Sequence, residues 1–456
     1  MMQTINPATE EVIGEYVEHA PAEIERRLEG AQRGFEGWRK RPFADRGRLM
    51  AGVAKLLRER TAQYSQLMTR EMGKPIAQAE GEIEKCAAAC EYFAEHAGRL
   101  LANQPMQSDA SRSYVRYDPL GPILAIMPWN FPFWQVFRFA APNLMAGNVA
   151  LLKHAANVSG EALAMEQLFL DAGLPPGVFT ALLIDNPATE KLIHHPLVRG
   201  VTLTGSTRAG KAVGANAGQA IKKSVLELGG SDPFIVLRDV EIGAVVKSAV
   251  AARCLNSGQS CIAAKRFIVE ESIAAAFAEA FAAEMARQRV GDPADRLTQI
   301  GPLARKDLRD HLAGQVQQSI DAGAAVLTGG HVLPQRGYYY APTVLGNVVP
   351  GMAAFDEELF GPVAAVIRAR DARDAVRLAN FSPFGLGASI WTKDTRLAEN
   401  LAAELESGNV FINGLVKSDP RLPFGGVKQS GYGRELAEAG IREFVNIKTV
   451  WIGPSI

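Results

Sequence analysis

The sequence predicts an α/β fold whose parallel sheets are covered by helices on both faces, and three observations predict it. Five short apolar runs, ILAIM (123 to 127), VALLK (149 to 153), VFTALLI (178 to 184), GVTLTG (200 to 205) and PFIVL (233 to 237), alternate with helical stretches. Continuous apolar strands of that length between helices are what a sheet buried on both faces requires. A second such series follows, with RFIVE, AAVLTGG, VAAVIRA, LGASIWT and GNVFING separated by helices. A chain of 456 residues, 47% hydrophobic, has the material for two or three domains of this kind. The pattern is that of a nucleotide-binding architecture.

Along the chain, residues 20 to 104 read as helices. PAEIERRLEGAQRGFEGWRK and RGRLMAGVAKLLRERTAQYSQLMTREMG space their apolar residues by three and four, and the second stops at a glycine. From residue 112 the stretch RSYVRYDPLG alternates as a half-buried strand, ahead of the first series of runs. The region from 229 to 430 carries the second series as a further α/β domain. The final VNIKTVWIG is a strand with no helix after it. Paired with the strand at 112 to 118, it would form a protruding layer suited to subunit contact.

Composition narrows the partners. Lys+Arg and Asp+Glu are both 49, and no basic run offers a grip on nucleic acid or an anionic membrane. The start, MMQTINPATEEVIGEY, lacks the basic and apolar regions of a signal peptide. The most apolar helical stretch, SIAAAFAEAFAAEMARQR, contains Glu279 and Glu284, so no membrane span is expected. Cys86, Cys90, Cys254 and Cys261 are too few and too poorly spaced for a disulfide framework or a zinc site, which fits a reducing cytoplasm and predicts no metal.

Four segments can carry chemistry, each with two readings. TGSTRAG places Gly205 and Gly210 between a strand and a helix, either to bring backbone N–H groups to a phosphate or to make a tight turn. In IMPWNFP, Asn130 is either an oxyanion donor at a strand end or an Asx turn before Pro132. In VLELGGSDP, Glu227 lies in an apolar strand, as a general base with a raised pKa or as half of a structural salt bridge. In LNSGQSCIAAKR, Cys261 is an inert buried thiol or a nucleophile. A polar approach and a helical-looking CIAAK, whose N-terminus would favour a thiolate, count toward the second, although the stretch taken alone still reads as an inert thiol. Cys254, in AVAARCLN, reads as core.

In this order and spacing the segments resemble the aldehyde dehydrogenase superfamily, and the resemblance runs from INPAT at residue 5 to the last strand. It implies a Rossmann-like cofactor domain (1–110 and 122–228), a catalytic α/β domain (229–430) and a small β element for oligomerisation (111–121 and 431–456), in a homodimer or homotetramer. Cys261 would be the nucleophile and Glu227 the base that activates water. Asn130 and the Cys261 backbone N–H would form the oxyanion hole. Contacts to NAD or NADP would come from Ile126, Trp129 and Asn130, from Lys153, His154, Ala155 and Ala156, and from Gly205, Ser206 and Gly210. Leu228 would join them, with Glu358 and Phe360 of EELFGPV beside the nicotinamide ribose. PFGGVKQSGYGRE (423 to 435) matches a C-terminal signature of the superfamily.

Within the superfamily MPWNFPFWQVFR, LLKHA, LELGGSDPF and KSDPRLPFGG are most similar to bacterial succinate-semialdehyde dehydrogenases. That likeness makes Arg138 and Ser418 the expected partners of a distal substrate carboxylate, with Lys417 and Arg421 in the substrate mouth or in a subunit interface. Glutarate semialdehyde or an uncharged aliphatic aldehyde are alternative substrates. An acyl-CoA-forming enzyme is disfavoured by Glu227, and a non-catalytic protein of the same fold by the intact Cys261, Glu227 and Asn130.

Two positions depart from common patterns of the superfamily. Ala263 stands where some relatives carry a second cysteine, so a disulfide switch beside Cys261 is not expected. Ala156, three residues after Lys153, replaces the acidic residue that excludes a ribose 2'-phosphate in many NAD-preferring relatives. NADP is therefore expected to be accepted, and steady-state kinetics with both dinucleotides check this; strong selectivity for NAD would refute it.

Overall fold

The computed structural model describes residues 1–454. The chain opens with an antiparallel hairpin, β1 (Met2–Asn6) and β2 (Glu11–Tyr16), which the sequence reading did not anticipate. Helices α1 (Pro21–Trp38), α2 (Phe43–Glu59), α3 (Thr61–Met72) and α4 (Ile76–Leu100) follow. The long helix expected from RGRLM to TREMG is broken at Arg60, because the Thr61 hydroxyl turns back to the carbonyls of Leu57 and Arg58 at 3.2 and 2.9 Å. Gly73 closes α3 at φ 78°, a left-handed backbone that glycine adopts without strain.

Strands β3 (Gln104–Met106) and β4 (Arg112–Pro119) lead into β5 (Pro122–Met127), α5 (Pro132–Ala146), β6 (Val149–His154), α6 (Ser159–Asp171) and β7 (Phe179–Ala181). After these come α7 (Asn186–His194), β8 (Gly200–Thr204), α8 (Thr207–Gln219) and β9 (Lys223–Glu227). The strands β5 to β9 are parallel, and their spatial order is β7-β6-β5-β8-β9. The chain builds outward from β5 first to one side and then to the other. The crevice between the C-terminal ends of β5 and β8 is thus a topological switch point, where open α/β sheets bind ligands. The run VFTALLI shrinks to three strand residues because β7 is an edge strand with only β6 to pair with.

The second sheet is built from β10 (Pro233–Val236), α9 (Ile242–Cys254), β11 (Arg266–Glu270), β12 (Ala325–Thr328), β13 (Thr343–Gly346) and β14 (Val363–Ala369). It continues past the short β15 (Phe384–Gly385) with β16 (Gly387–Trp391) and β17 (Asn409–Ile412). Its order is β12-β13-β14-β11-β10-β16-β17, parallel except for β12. AAVLTGG is therefore an antiparallel edge strand, and β13, which lies between it and the parallel body, had escaped the sequence pattern.

At the C-terminus β18 (Val427–Lys428) pairs with β15, and β19 (Gly431–Tyr432) adds antiparallel to β9. The last strand, β20 (Val445–Ile452), pairs antiparallel with β4 from Val445↔Pro119 to Ile452↔Arg112, with β3 on the far side of β4. One apolar core lies around the first sheet and its helices, and two more occupy the faces of the second sheet.

Candidate active site

The strand β5 ends at Met127, and five residues later Pro132 occupies the first turn of α5, a position where its missing N–H is not needed. Two other N–H groups of that turn, on Phe133 and Trp134, donate to Glu82 Oε1 of α4 at 2.9 and 2.8 Å. Glu82 is held in turn by a buried ion pair with Lys74, whose ammonium lies 3.8 Å from the Phe131 ring centroid. The segment 128–131 is thereby fixed at both ends. Asn130, buried within it, donates from Nδ2 to the Gln259 carbonyl at 3.1 Å, and its own carbonyl accepts from Asn256 Nδ2 at 2.6 Å.

Residues 256 and 259 belong to the loop that delivers Cys261. After α9 the backbone turns through three successive left-handed residues, Asn256 (φ 54°), Ser257 (φ 55°) and Gly258 (φ 77°). A Cβ at Gly258 would stand 2.3 Å from the Gly361 carbonyl oxygen, so glycine is obligatory there. The other two pay for their conformation with hydrogen bonds. The Asn256 N–H donates to Gln78 at 2.6 Å, Ser257 accepts from the Gly301 N–H at 2.9 Å, and the buried Arg253 donates to the Gly258 carbonyl at 2.6 Å.

Beyond Cys261 the expected helix is absent. Residues 261–263 form a single turn, and the chain enters β11 at Arg266, drawn into the sheet by its pairing with β10 and β14. A helix dipole therefore does not act on the thiol. The nearby positive charges are side chains: Lys265 donates to the carbonyls of Ser260 and Cys261 at 2.8 and 2.6 Å. Burial pushes the Cys261 thiol up to about 12, while Arg138 and Lys265 pull the other way. Cys261 is nevertheless the half-buried member of the four cysteines; Cys86, Cys90 and Cys254 are fully buried.

Glu227 ends β9. It is buried, and loss of solvent drives its carboxyl well above the usual range, against the attraction of Arg138. Its carbonyl accepts from the Gly205 N–H at 2.9 Å, which ties it to the glycine turn. A Cβ at Gly425 would come within 2.8 Å of Glu227 Oε1, so the glycines of PFGG clear its flank. Two residues past Leu228, the Gly230 N–H donates to Glu358 Oε1 at 3.0 Å, and the same oxygen lies 3.4 Å from Lys265 Nζ. Glu358 thus connects the strand after Glu227 to the cysteine loop.

The residues expected at a dinucleotide face the crevice from several elements. Ser206 caps α8 by accepting from the Ala209 N–H at 3.3 Å. The N–H groups of Thr207 and Arg208 lack the partners that an interior helical turn supplies. A Cβ at Gly205 would meet only the Leu203 side chain, at 3.9 Å, so the turn is open. Gly210 has the opposite reason: a Cβ there would collide with Leu228. Ile126 and Lys153 are half-buried neighbours across β5 and β6, Ala155 and Ala156 follow without bulk, and Trp129 meets Phe360 edge to face at 5.7 Å. A cation, open helix N–H groups and a small-residue floor fit the adenosine and phosphate portions of a dinucleotide.

Two of the expected contact residues have protein partners of their own. The His154 ring is buried, with Nε2 3.1 Å from the Pro132 carbonyl and Nδ1 3.0 Å from the Ala155 N–H; it braces β6 against 128–132 and leaves only backbone for a cofactor. Burial holds it down at about 4, so it is neutral. Arg138, 2% exposed, forms a buried ion pair with Glu435, donates to Thr204 Oγ1 at 3.3 Å and lies 4.6 Å from the Phe424 ring. Its charge already has a protein partner in the C-terminal segment. Ser418 accepts from Lys85 Nζ at 2.8 Å and from Trp134 Nε1 at 2.9 Å. Lys417 is exposed and has no ion pair among the described residues, and Arg421 pairs with its neighbour Asp419.

The sequence reading missed Lys85, Lys265 and Glu435. Lys265, four residues past the cysteine in an apolar strand approach, is a signal that was visible. Lys85 sits in a helix whose pattern reads as a covering layer, and Glu435 lies far along the chain from Arg138.

Residues 1–450 match the model of the aldehyde dehydrogenase family. The chain is 50% identical over 449 residues, 98% of this chain and 99% of the relative, to a probable succinate-semialdehyde dehydrogenase (NADP(+)) of Synechocystis sp.. It is 51% identical over 448 residues, 98% and 97% of the two chains, to the succinate semialdehyde dehydrogenase (NAD(P)+) Sad of Escherichia coli. Among solved structures it is similar to the succinic semialdehyde dehydrogenase of Streptococcus pyogenes in complex with NADP+, with 35% identity, a TM-score of 0.97 and 100% of each chain covered.

The ion pair of Arg138 makes a stability prediction. Arg138→Ala strands Glu435 in the interior and should destabilise the protein by about 3–5 kcal/mol. The double variant Arg138→Met/Glu435→Gln should recover much of that loss. Denaturant unfolding of the wild type and the two variants measures both.

Proposed function

The chain belongs to the aldehyde dehydrogenase family, and we propose that it oxidises succinate semialdehyde to succinate with NADP or NAD. The observation that carries the reading is the half-buried Cys261, on a loop hydrogen-bonded through Gln259 to Asn130 at the switch point of a parallel sheet. The two relatives from Synechocystis and Escherichia coli, matched over nearly their full lengths, support the choice of substrate.

In the proposed reaction the Cys261 thiol ionises, its proton passing to solvent, and the sulfur attacks the aldehyde carbon. An amide NH2 carries two donors. Asn130 uses one on the Gln259 carbonyl and has the other for the alkoxide, beside the Cys261 N–H. Bound in the crevice, the dinucleotide supplies the acceptor for the hydride lost from the substrate carbon. The thioester left on Cys261 is hydrolysed by a water whose proton Glu227 takes, and the carboxylate product departs as the thiol is restored. Lys153, Ser206 and the open start of α8 hold the cofactor's phosphates and adenosine, and Glu358 its nicotinamide ribose.

The assembly proposed is a homodimer or homotetramer. The outer edge of β20 has no strand partner among the described residues and exposes Ile447, Trp451 and Ile452, a surface suited to a second copy. No described helix is long and apolar enough to cross a membrane.

Cys261→Ala should abolish dinucleotide reduction while cofactor binding, read by fluorescence, persists. Glu227→Gln should slow steady-state turnover by about 10²–10⁴-fold yet leave one reduced cofactor per site in the first turnover, seen by stopped-flow absorbance. With the thiol pushed up to about 12, the thiolate fraction rises about tenfold per pH unit below that value. Inactivation by iodoacetamide should therefore accelerate steadily with pH, and a plateau near neutrality would contradict the buried, protonated thiol.

A further inference from the structure

Lys265 stands beside the reacting sulfur, and the proposed reaction gives it no part. It immediately precedes β11, and its backbone is held on both sides: its N–H donates to the Asp232 carbonyl at 3.1 Å, and its carbonyl accepts from the Ala365 N–H at 2.9 Å. The fully buried side chain folds back to the cysteine loop, where Nζ donates to the Ser260 carbonyl at 2.8 Å and to the Cys261 carbonyl at 2.6 Å. An ammonium has three N–H donors, and the third faces Glu358 Oε1 at 3.4 Å. The shorter contacts of this cation thus go to the backbone of the loop rather than to its counter-ion.

The two carbonyls belong to successive peptide units that flank Cys261. Each unit is planar and trans, with its C=O and N–H on opposite sides. Fixing the Ser260 oxygen on the ammonium therefore turns the Cys261 N–H away from it, and fixing the Cys261 oxygen does the same for the Ile262 N–H. Neither N–H has an acceptor among the described residues. Successive free N–H groups on one side of a chain form a concavity that suits an anion. Among the described residues the Ser260 oxygen has one other donor, the Ala263 N–H at 3.2 Å, and the Cys261 oxygen has none. Without the ammonium, rotation of the 260–261 unit would present an oxygen where the reaction needs a donor.

We propose that Lys265 is a positioning residue for the oxyanion: it locks the peptide units around Cys261 so that the Cys261 N–H faces the developing alkoxide. It acts through the backbone of the cysteine loop. The assignment deepens the proposed function and rests on its reading of Cys261 as the nucleophile that attacks a carbonyl.

The test uses two reagents for the same sulfur, with no dinucleotide present. p-Nitrophenyl acetate is attacked at its carbonyl: the sulfur–carbon bond forms, an oxyanion develops, and p-nitrophenolate leaves as it collapses. Iodoacetamide is attacked at a saturated carbon, so iodide leaves and no oxyanion forms. Both rates scale with the thiolate fraction, and their ratio is free of any change in the acidity of Cys261. Cys261→Ala gives the background for each reagent. In Lys265→Met the ester-to-iodoacetamide ratio should fall by about 10- to 100-fold at every pH from about 7 to 9, toward the loss that removal of an oxyanion donor brings. A ratio that does not move, even with both rates depressed, overturns the assignment and leaves Lys265 a charge partner alone. Should Lys265→Met not accumulate as folded protein, Lys265→Ala, which leaves room for a water at the two carbonyls, is read by the same ratio. Reduction of NADP or NAD by the wild type with succinate semialdehyde is measured alongside. Its absence overturns the proposed function, while the ratio still decides the role of Lys265.

Discussion

The site depends on a buried hydrogen-bonded joint between loops of two different sheets. Asn130 follows β5 of the first sheet, while Asn256 and Gln259 precede β11 of the second. Asn130 and Asn256 each donate to the Gln259 carbonyl at 3.1 Å, and Asn256 also donates to the Asn130 carbonyl at 2.6 Å. Gln259 anchors the joint from the other side by accepting the Ala304 N–H at 2.9 Å. Because these amides are buried, an unpaired one costs more than an exposed one, and the joint holds the two loops in one relation. The left-handed turn at 256–258 follows from this constraint, since it brings Asn256 back to Asn130 while carrying the chain onward to Cys261.

A second constraint is electrostatic. Burial raises both the Cys261 thiol and the Glu227 carboxyl, and the charges that offset it, Lys265 and Arg138, are held by partners of their own. Lys265 is pinned by two loop carbonyls and Glu358, and Arg138 by Glu435. The shared position of Glu358, between Lys265 and the Gly230 N–H, gives the cofactor side a direct line to the cysteine loop.

Much of this was legible in the sequence because strand ends advertise themselves. Apolar runs ending in glycine or polar residues located β5, β8 and β9, and the residues at or just past their ends, Asn130, Gly205 and Glu227, came with their strands. What failed did so for tertiary reasons. CIAAK has helical composition, but sheet pairing of Arg266 leaves it room for only one turn. Spacing put Arg138 on the helix after Asn130 but gave no hint of Glu435, which meets it from almost three hundred residues away. Lys85 was hidden because a lysine on an amphipathic helix normally marks the solvated face.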